Sequence, residues 1–229
     1  MIRLVAVDID GTLTYNDRKL DIAAVDALRK AESSGLPVAL ATGNILAFAE
    51  AAATLLGTSG PLIAEDGGIV FDPVNGIEHV LGDRVEVDRG LAALERVFGP
   101  LQQTRSSGVR LTGLTLKRTI KVEDASEILK REGLDLVAVD SGFAIHLRSP
   151  NVNKGNALRK VASLRKISLV EVAAIGDGPN DIEMLGVAGL SFAVANSDEA
   201  AKRVCTHVTA EAHGKGVAEA IEKILSLRG

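Results

Sequence analysis

Tryptophan is absent from this chain, tyrosine occurs once, and aromatic residues make up only 3% of it. A core built around large rings is therefore excluded. The interior has to come from Ala, Val, Leu and Ile, and a 46% apolar content is enough for a sizeable one. A single cysteine, Cys205, excludes an internal disulfide framework and suits a reducing, cytoplasmic setting. It shows no partner base and is expected to be inert. Positive charge is not in excess: the net charge is −4 and no long basic block occurs, which argues against nucleic acid as a partner. No uncharged apolar run is long enough to span a bilayer. The stretch from Pro37 to Ala64 comes closest, and Thr42, Gly43, Asn44, Glu50 and Gly57 interrupt it, so no membrane partner is expected. Met1-Ile-Arg leads straight into an apolar run, and no signal peptide is expected. Neither G-x-G-x-x-G nor a P-loop pattern is present, which counts against a nucleotide-binding module. Internal repeats and low-complexity segments are lacking too. The four histidines, His79, His146, His207 and His213, show no metal-ligand spacing.

What is present is alternation. The 229 residues suffice for one domain or for a core plus a smaller module. Ile2–Val7 is short, apolar and β-branched, as a buried strand requires. Leu20–Ser34 carries Ile22, Val25, Leu28 and Ala31 at helical spacing and closes at Gly35. Pro37–Ala41 is a second strand, Leu46–Leu56 an Ala-rich helix, and Pro61–Ala64 a third strand. This order predicts a parallel, doubly wound α/β sheet. A turn at Asp66-Gly-Gly68 follows, then a hairpin of Ile69–Asp72 and Ile77–Leu81 around Asn75-Gly76.

From Arg84 to Asn153 the alternation breaks. The pattern predicts a helix over Val85–Phe98, a strand over Val109–Lys117 with Gly113 inside, and a helix over Val122–Glu132. Two strands follow, Leu134–Val139 and Phe143–Arg148, joined at Asp140-Ser-Gly142. We read residues 84–153 as an inserted α+β module, hinged at Gly82-Asp83 and Ser149-Pro-Asn151. The core is then residues 1–83 and 154–229. The competing reading is that this stretch only extends the main sheet. Parallel logic resumes with helix Ala157–Leu164, strand Glu171–Ile175 and strand Leu190–Ala195. A helix over Ser197–Val204, a short strand over Thr206–Thr209 and a helix over Gly216–Leu227 complete the chain.

Four loops then fall at strand ends, where ligands bind in open α/β sheets. The first is Asp8-Ile-Asp-Gly-Thr-Leu-Thr14. Two carboxylates at i and i+2 repel each other unless a cation lies between them or they divide acid and base roles. A plain turn also uses Asp and Gly, so a lone Asp-x-Asp proves little. Thr42-Gly43-Asn44 offers a hydroxyl and backbone N–H groups before a helix, as an anion site does; a simple Thr cap is the commoner use. Lys154, in Asn-Lys-Gly at the module junction, is a cation within reach of a phosphate, although most lysines are solvated surface charges. Asp177 and Asp181 in Gly176-Asp-Gly-Pro-Asn-Asp181 fall on one side if the loop enters a helix. Four converging acids with oxygen-only ligation suit Mg²⁺.

The string Asp8–Thr14 resembles, at every position, the first motif of the haloacid dehalogenase-like phosphohydrolases, and the other three loops follow in that family's order. The insertion resembles its small C2B-type cap, found in the Cof-like branch. The resemblance covers the entire chain and implies an aspartyl-phosphate mechanism. Asp8 is then the nucleophile and Asp10 the general acid/base. Thr42, Gly43 and Lys154 hold the phosphoryl group. Asp177 and Asp181 bind Mg²⁺ with the Asp8 carboxylate and the Asp10 backbone carbonyl. Many Cof-like members have arginine where Asn44 stands. Thr-Gly-Asn, the small cap, the Glu65-Asp-Gly-Gly68 turn and the short chain together resemble the archaeal phosphoglycolate phosphatases. The expected partner is a small phosphorylated metabolite. A sugar-phosphate phosphatase or a phosphomutase of the same superfamily is the runner-up. A phospho-accepting signalling domain is remote, because its acceptor would follow the third strand and it needs no cap. Oligomeric state is open, a homodimer being one candidate. Arg105, Arg110 and Arg148 are candidate partners for an anionic leaving group, and His146 lies where the cap could face a cleft.

Overall fold

All five residues of Leu4–Asp8 are buried, the last of them an aspartate. In the computed structural model, which describes residues 1–228, this strand runs through the middle of an eight-stranded sheet. The strands in chain order are β1 (Leu4–Asp8), β2 (Val38–Ala41), β3 (Leu62–Ala64), β4 (Ile69–Asp72) and β5 (Ile77–Val80). The inserted segment carries β6 (Gly113–Leu116), β7 (Val137–Asp140) and β8 (Ile145–Arg148). The chain then returns with β9 (Val172–Gly176), β10 (Leu190–Ala193) and β11 (His207–Val208). The main sheet is ordered β11-β10-β9-β1-β2-β3-β4-β5. It is parallel from β11 to β3, and the β4–β5 hairpin is added antiparallel at the far edge. The doubly wound sheet expected from the alternation is thus what forms.

The helices are α1 (Ile22–Ser33), α2 (Leu46–Leu56), α3 (Arg84–Phe98), α4 (Val122–Arg131), α5 (Lys154–Arg165), α6 (Ile182–Val187), α7 (Glu199–Val204) and α8 (His213–Ser226). One face of the sheet buries α1, α2 and α8 through residues such as Leu28, Leu56 and Ile221. The other buries α5, α6 and α7 through Leu158, Leu185 and Ala201. Among the described residues no aromatic ring is fully enclosed in either layer, and Phe192 comes nearest. The central strands β1, β2 and β9 are near-continuous apolar runs because both of their faces are covered.

The topology fixes where a site can form. The chain leaves β1 towards β2 on one side and later fills the other side with β9, so the loops after β1 and β9 diverge. Such a switch point opens a crevice at the carboxyl ends of the strands. Here Val7 pairs with Ile175 and Asp8 pairs with Ala41, so the loops beginning at Ile9, Thr42 and Asp177 emerge side by side.

The segment between β5 and α5 folds on a core of its own. The antiparallel sheet β6-β8-β7 packs Leu114, Leu116, Ile145 and Leu147 against Val87 and Leu94 of α3 and Leu129 of α4. Alternation along β8 sends Ile145 and Leu147 to that core and turns His146 the other way, onto the main body.

Several local expectations need correction. The strand expected over Val109–Lys117 is a 3-10 turn at Ser107–Val109 followed by β6 from Gly113. The reason is that the Glu65 carboxylate captures the N–H groups of Leu111 and Thr112, which cannot then serve a ladder. Helix α5 starts at Lys154 rather than Ala157, because the Asn153 side chain caps it by accepting from the Asn156 N–H. In α1 the buried stripe is Ala24, Ala27, Leu28 and Ala31, and Ile22 is exposed. Small residues face inward there because α1 lies close along α8; a Cβ on Gly214 would fall 2.6 Å from the Asp21 Cβ.

Candidate active site

The four loops converge. Lys154, fully buried at the first turn of α5, donates from Nζ to Asp8 Oδ1 at 2.5 Å and to Asp181 Oδ1 at 2.7 Å. The other Asp181 oxygen accepts from the backbone N–H groups of Asp177 and Gly178, each at 3.0 Å. Asp181 thereby ties the loop after β9 to Lys154. Thr12 donates to Asp177 Oδ1 at 2.7 Å, which holds that carboxylate over Gly11. A Cβ at Gly11 would lie 2.3 Å from Asp177 Oδ2, so only glycine allows this approach.

Asp8 Oδ2 is buried and has no hydrogen-bond partner among the described residues. Leaving such an acceptor unsatisfied costs about 1–3 kcal/mol, and more if it is charged. Asp8, Asp177 and Asp181 each offer an oxygen within 4.8 Å of the others. An oxygen-only cluster with an orphaned, buried carboxylate oxygen fits a hard divalent cation. Asp181 has three of its roughly four acceptor positions in use and one to spare.

The charges confirm the crowding. Burial, followed by the proximity of Asp181, pushes the Asp8 carboxyl well above its usual range, against the pull of Lys154. Burial and Asp181 likewise push Asp177 up to about 6, against the Thr12 hydrogen bond. Lys154 is held above its ordinary value because Asp181 and Asp8 outweigh the effect of burying it. Raised carboxyl groups stabilise the fold while protonated, below about pH 4, and that contribution is lost as pH rises through the folded values. In the absence of metal, the melting temperature is therefore expected to fall between pH 5 and pH 7. A divalent cation held by this cluster would compete with the proton for Asp177, so stabilisation by Mg²⁺ is expected to grow over the same interval. Melting curves in EDTA and in excess Mg²⁺ check this; a Mg²⁺-induced rise no larger at pH 7 than at pH 5 would contradict it.

Asp10 stands apart from that cluster. Its carboxylate accepts from Asn44 Nδ2 at 2.8 Å and from Arg18 Nε at 2.9 Å. The Asn44 amide also reaches Thr42 Oγ1 at 3.3 Å, while the Asn44 backbone N–H donates to the same oxygen at 3.0 Å. Asn44, at the position where many Cof-like members have arginine, thus links the second loop to the first. Thr42 and Lys154 lie fully buried behind the floor of the site, whereas Asp8, Asp10, Gly43 and Asp177 line a cavity of about 440 Å³.

The inserted module roofs this cavity. Its His146 Nδ1 pairs with Asp66 at 2.5 Å, and His146 Nε2 lies 3.1 Å from Ser141 Oγ. Asn180 Nδ2 donates to the other Asp66 oxygen at 3.2 Å. Burial alone would raise the Asp66 carboxyl, but His146, Arg110 and Lys154 overcome it and hold the group well below its usual range. Glu65 and Asp66 both adopt positive φ, 52° and 58°, a strained choice for non-glycine residues. That turn presents both carboxylates to the module. Arg18 also spans the cleft, with its guanidinium 5.8 Å from the centre of the Phe143 ring. Of the three arginines considered from sequence, Arg110 lines the cavity; Arg105 is exposed, and Arg148 is spent on the Ser149 and Val152 carbonyls at the hinge.

Sequence reasoning did not single out Thr12, Arg18, Asp66 or Asn180 for the site. Thr12 and Asp66 belong to motifs already noticed, and the alternation Ile145-His-Leu-Arg148 places His146 opposite the apolar face. Asn180 also lies within a quoted motif, Gly176–Asp181, whereas nothing local marks Arg18.

Comparison with known proteins agrees with this geometry. The profile of the haloacid dehalogenase-like hydrolases matches residues 5–85 and 111–221. A phosphoglycolate phosphatase of Methanothermobacter thermautotrophicus is 40% identical over 224 residues, 98% of this chain and 99% of that protein. One of Archaeoglobus fulgidus is 42% identical over 226 residues, 99% of this chain and 98% of that protein. A crystal structure from Thermoplasma acidophilum superposes with a TM-score of 0.89 at 27% identity, covering 98% of this chain and 99% of the other. With its four strand-end loops in place and matches that run almost from end to end, the chain belongs to the haloacid dehalogenase-like hydrolases.

Proposed function

We propose that this protein is a Mg²⁺-dependent phosphatase that hydrolyses 2-phosphoglycolate to glycolate and phosphate through an aspartyl-phosphate on Asp8. In this reading residues 1–83 and 154–229 are the catalytic core and residues 84–153 the cap. The observation that carries it is the Asp8 carboxylate: one oxygen is fixed by buried Lys154, and the other is buried, unpartnered and beside the cavity floor. The substrate assignment rests on the two archaeal relatives, which carry the name phosphoglycolate phosphatase.

The residues present would do the following. Asp8 attacks phosphorus and the bond to the leaving oxygen breaks, the Asp10 carboxylic acid giving that oxygen its proton. Asp10, now a carboxylate, takes a proton from water as the water attacks phosphorus, releasing phosphate and restoring Asp8. Lys154 and Thr42, with the Gly43 backbone, hold the phosphoryl oxygens, over which negative charge is spread during transfer. Asp8, Asp177, Asp181 and the Asp10 backbone carbonyl would hold Mg²⁺, which supplies positive charge that offsets repulsion between the anionic substrate and the carboxylates. Asn44 steadies Asp10 from the Thr42 side.

Phosphate release from a panel of esters tests the reading. The panel should contain 2-phosphoglycolate, p-nitrophenyl phosphate and several sugar phosphates. The highest kcat/KM is expected for 2-phosphoglycolate, with activity lost on exhaustive EDTA dialysis and restored by Mg²⁺ better than by Ca²⁺, whose looser coordination suits in-line transfer poorly. Undiminished activity in EDTA would contradict the metal role, and a sugar phosphate turned over faster would move the assignment to that class.

A further inference from the structure

Arg110 is a buried arginine with unspent donors. It extends from the cap into the cavity wall, is 6% exposed, and donates one guanidinium nitrogen to the carbonyl oxygen of Gly43. Its Nε is buried with no acceptor among the described residues. A guanidinium has five N–H donors and cannot shed its charge at working pH. Two acidic groups stand near enough to make its burial tolerable, Asp66 and Glu65, but both are committed elsewhere. The Asp66 oxygens accept from His146 and Asn180, and the Glu65 oxygens accept from Leu111 and Thr112. The positive charge is thus offset without its donors being used up.

Its position is not adjustable. The Glu65 carboxylate grips the chain immediately after Arg110, and Arg84 Nη1 donates to the carbonyls of Ser107, Arg110 and Gly113 from the other side. A flexible surface arginine needs no such mounting. This one is held beside Gly43, next to the phosphoryl site, where the first atoms beyond a bound phosphate would lie.

We propose that Arg110 is a specificity-determining residue that receives the carboxylate of the leaving group, so that the cavity selects phosphate esters of short hydroxy acids over esters of neutral alcohols. The proposal rests on the phosphatase reading above and adds the group that recognises the acid. An arginine suits a carboxylate because its planar donors match the two oxygens, and a charge-assisted hydrogen bond of this kind is worth about 10- to 100-fold in a binding or rate ratio.

The test compares 2-phosphoglycolate with 2-hydroxyethyl phosphate, which replaces the carboxylate by a neutral CH2OH. The ratio of their kcat/KM values, measured on one preparation, cancels differences in folded fraction. The parent protein should prefer the acid by about 10-fold or more, and both Arg110→Gln and Arg110→Ala should bring the ratio close to 1. A parent ratio near 1 would overturn the proposal without any variant being made, while leaving the phosphatase reading intact. Equal losses on both substrates, with the ratio preserved, would also overturn it, by showing that Arg110 holds the phosphoryl group or the cap instead. Absence of hydrolysis of either ester or of p-nitrophenyl phosphate by the parent would refute the phosphatase reading, and this proposal with it.

Discussion

Replacing Asp8 by Asn is expected to lower turnover by roughly 10⁴-fold or more, the scale on which loss of a nucleophile acts, while leaving the fold intact. The neutral amide keeps the shape of the side chain but cannot attack phosphorus. Stability should not fall. Asp8 is buried, its Oδ2 has no partner, and Asp177 and Asp181 crowd it, so its charge strains the metal-free protein. The metal-free melting temperature of the variant should match or exceed that of the parent, and Mg²⁺ should raise it less. Asp10→Asn provides the contrast. On the proposed mechanism it removes the proton donor, so a poor alkoxide leaving group should suffer more than p-nitrophenolate, which departs without help. An Asp8→Asn protein that retained even one hundredth of parental turnover would rule out covalent catalysis there, and equal losses on both esters in Asp10→Asn would rule out the acid role.

Lys154→Met should be the most damaging single change to stability. Lys154 is fully buried between Asp8 and Asp181, and removing one partner of a buried ionic network costs about 3–5 kcal/mol because the remaining charges stay behind. For a protein of this size that corresponds to a fall of roughly 6–20 °C in melting temperature. Activity should be lost as well, since Lys154 fixes the Asp8 oxygen. Adding Asp181→Asn to the Lys154→Met protein removes one stranded charge and should recover part of the stability but none of the activity. A Lys154→Met protein that melted within a degree of its parent would show that the buried pairings contribute little.

The parts of the site that could be read from the chain are those written in consecutive residues. Asp8 and Asp10 follow an apolar strand, and Asp177 and Asp181 follow another, so both their loops and their chemistry are visible locally. That β1, β2, β3, β9 and β10 run parallel follows from alternation alone. What could not be read depends on contacts between distant segments. Asn44 meets Asp10 across 34 residues and Asp66 meets His146 across 80. The Val109–Lys117 stretch has strand-like composition, but Glu65 takes its amides, and no local rule reveals that competition. The inward face of α1 was misplaced for a similar reason. Ile22 is a large apolar residue, but the inward face is Ala24, Ala27, Leu28 and Ala31, three of them small where α8 comes close.

The placement of β1 between β2 and β9 has a consequence for synthesis. Its pairing with β2 can form once the first forty or so residues are available. Its other edge waits for β9, and Arg3 and Glu171, which flank that pairing, stand 168 residues apart. At ordinary translation rates of about 5–20 residues per second, that interval is on the order of ten to thirty seconds. For that time the chain carries a strand, Leu-Val-Ala-Val-Asp, with one row of N–H and C=O groups unpaired, and apolar unpaired edges are where chains associate wrongly. Residues 84–153, whose sheet and helices share a core of their own, are all made before β9 exists. Asp8 is thus among the first residues made, yet its strand stays paired on one side only until β9 arrives.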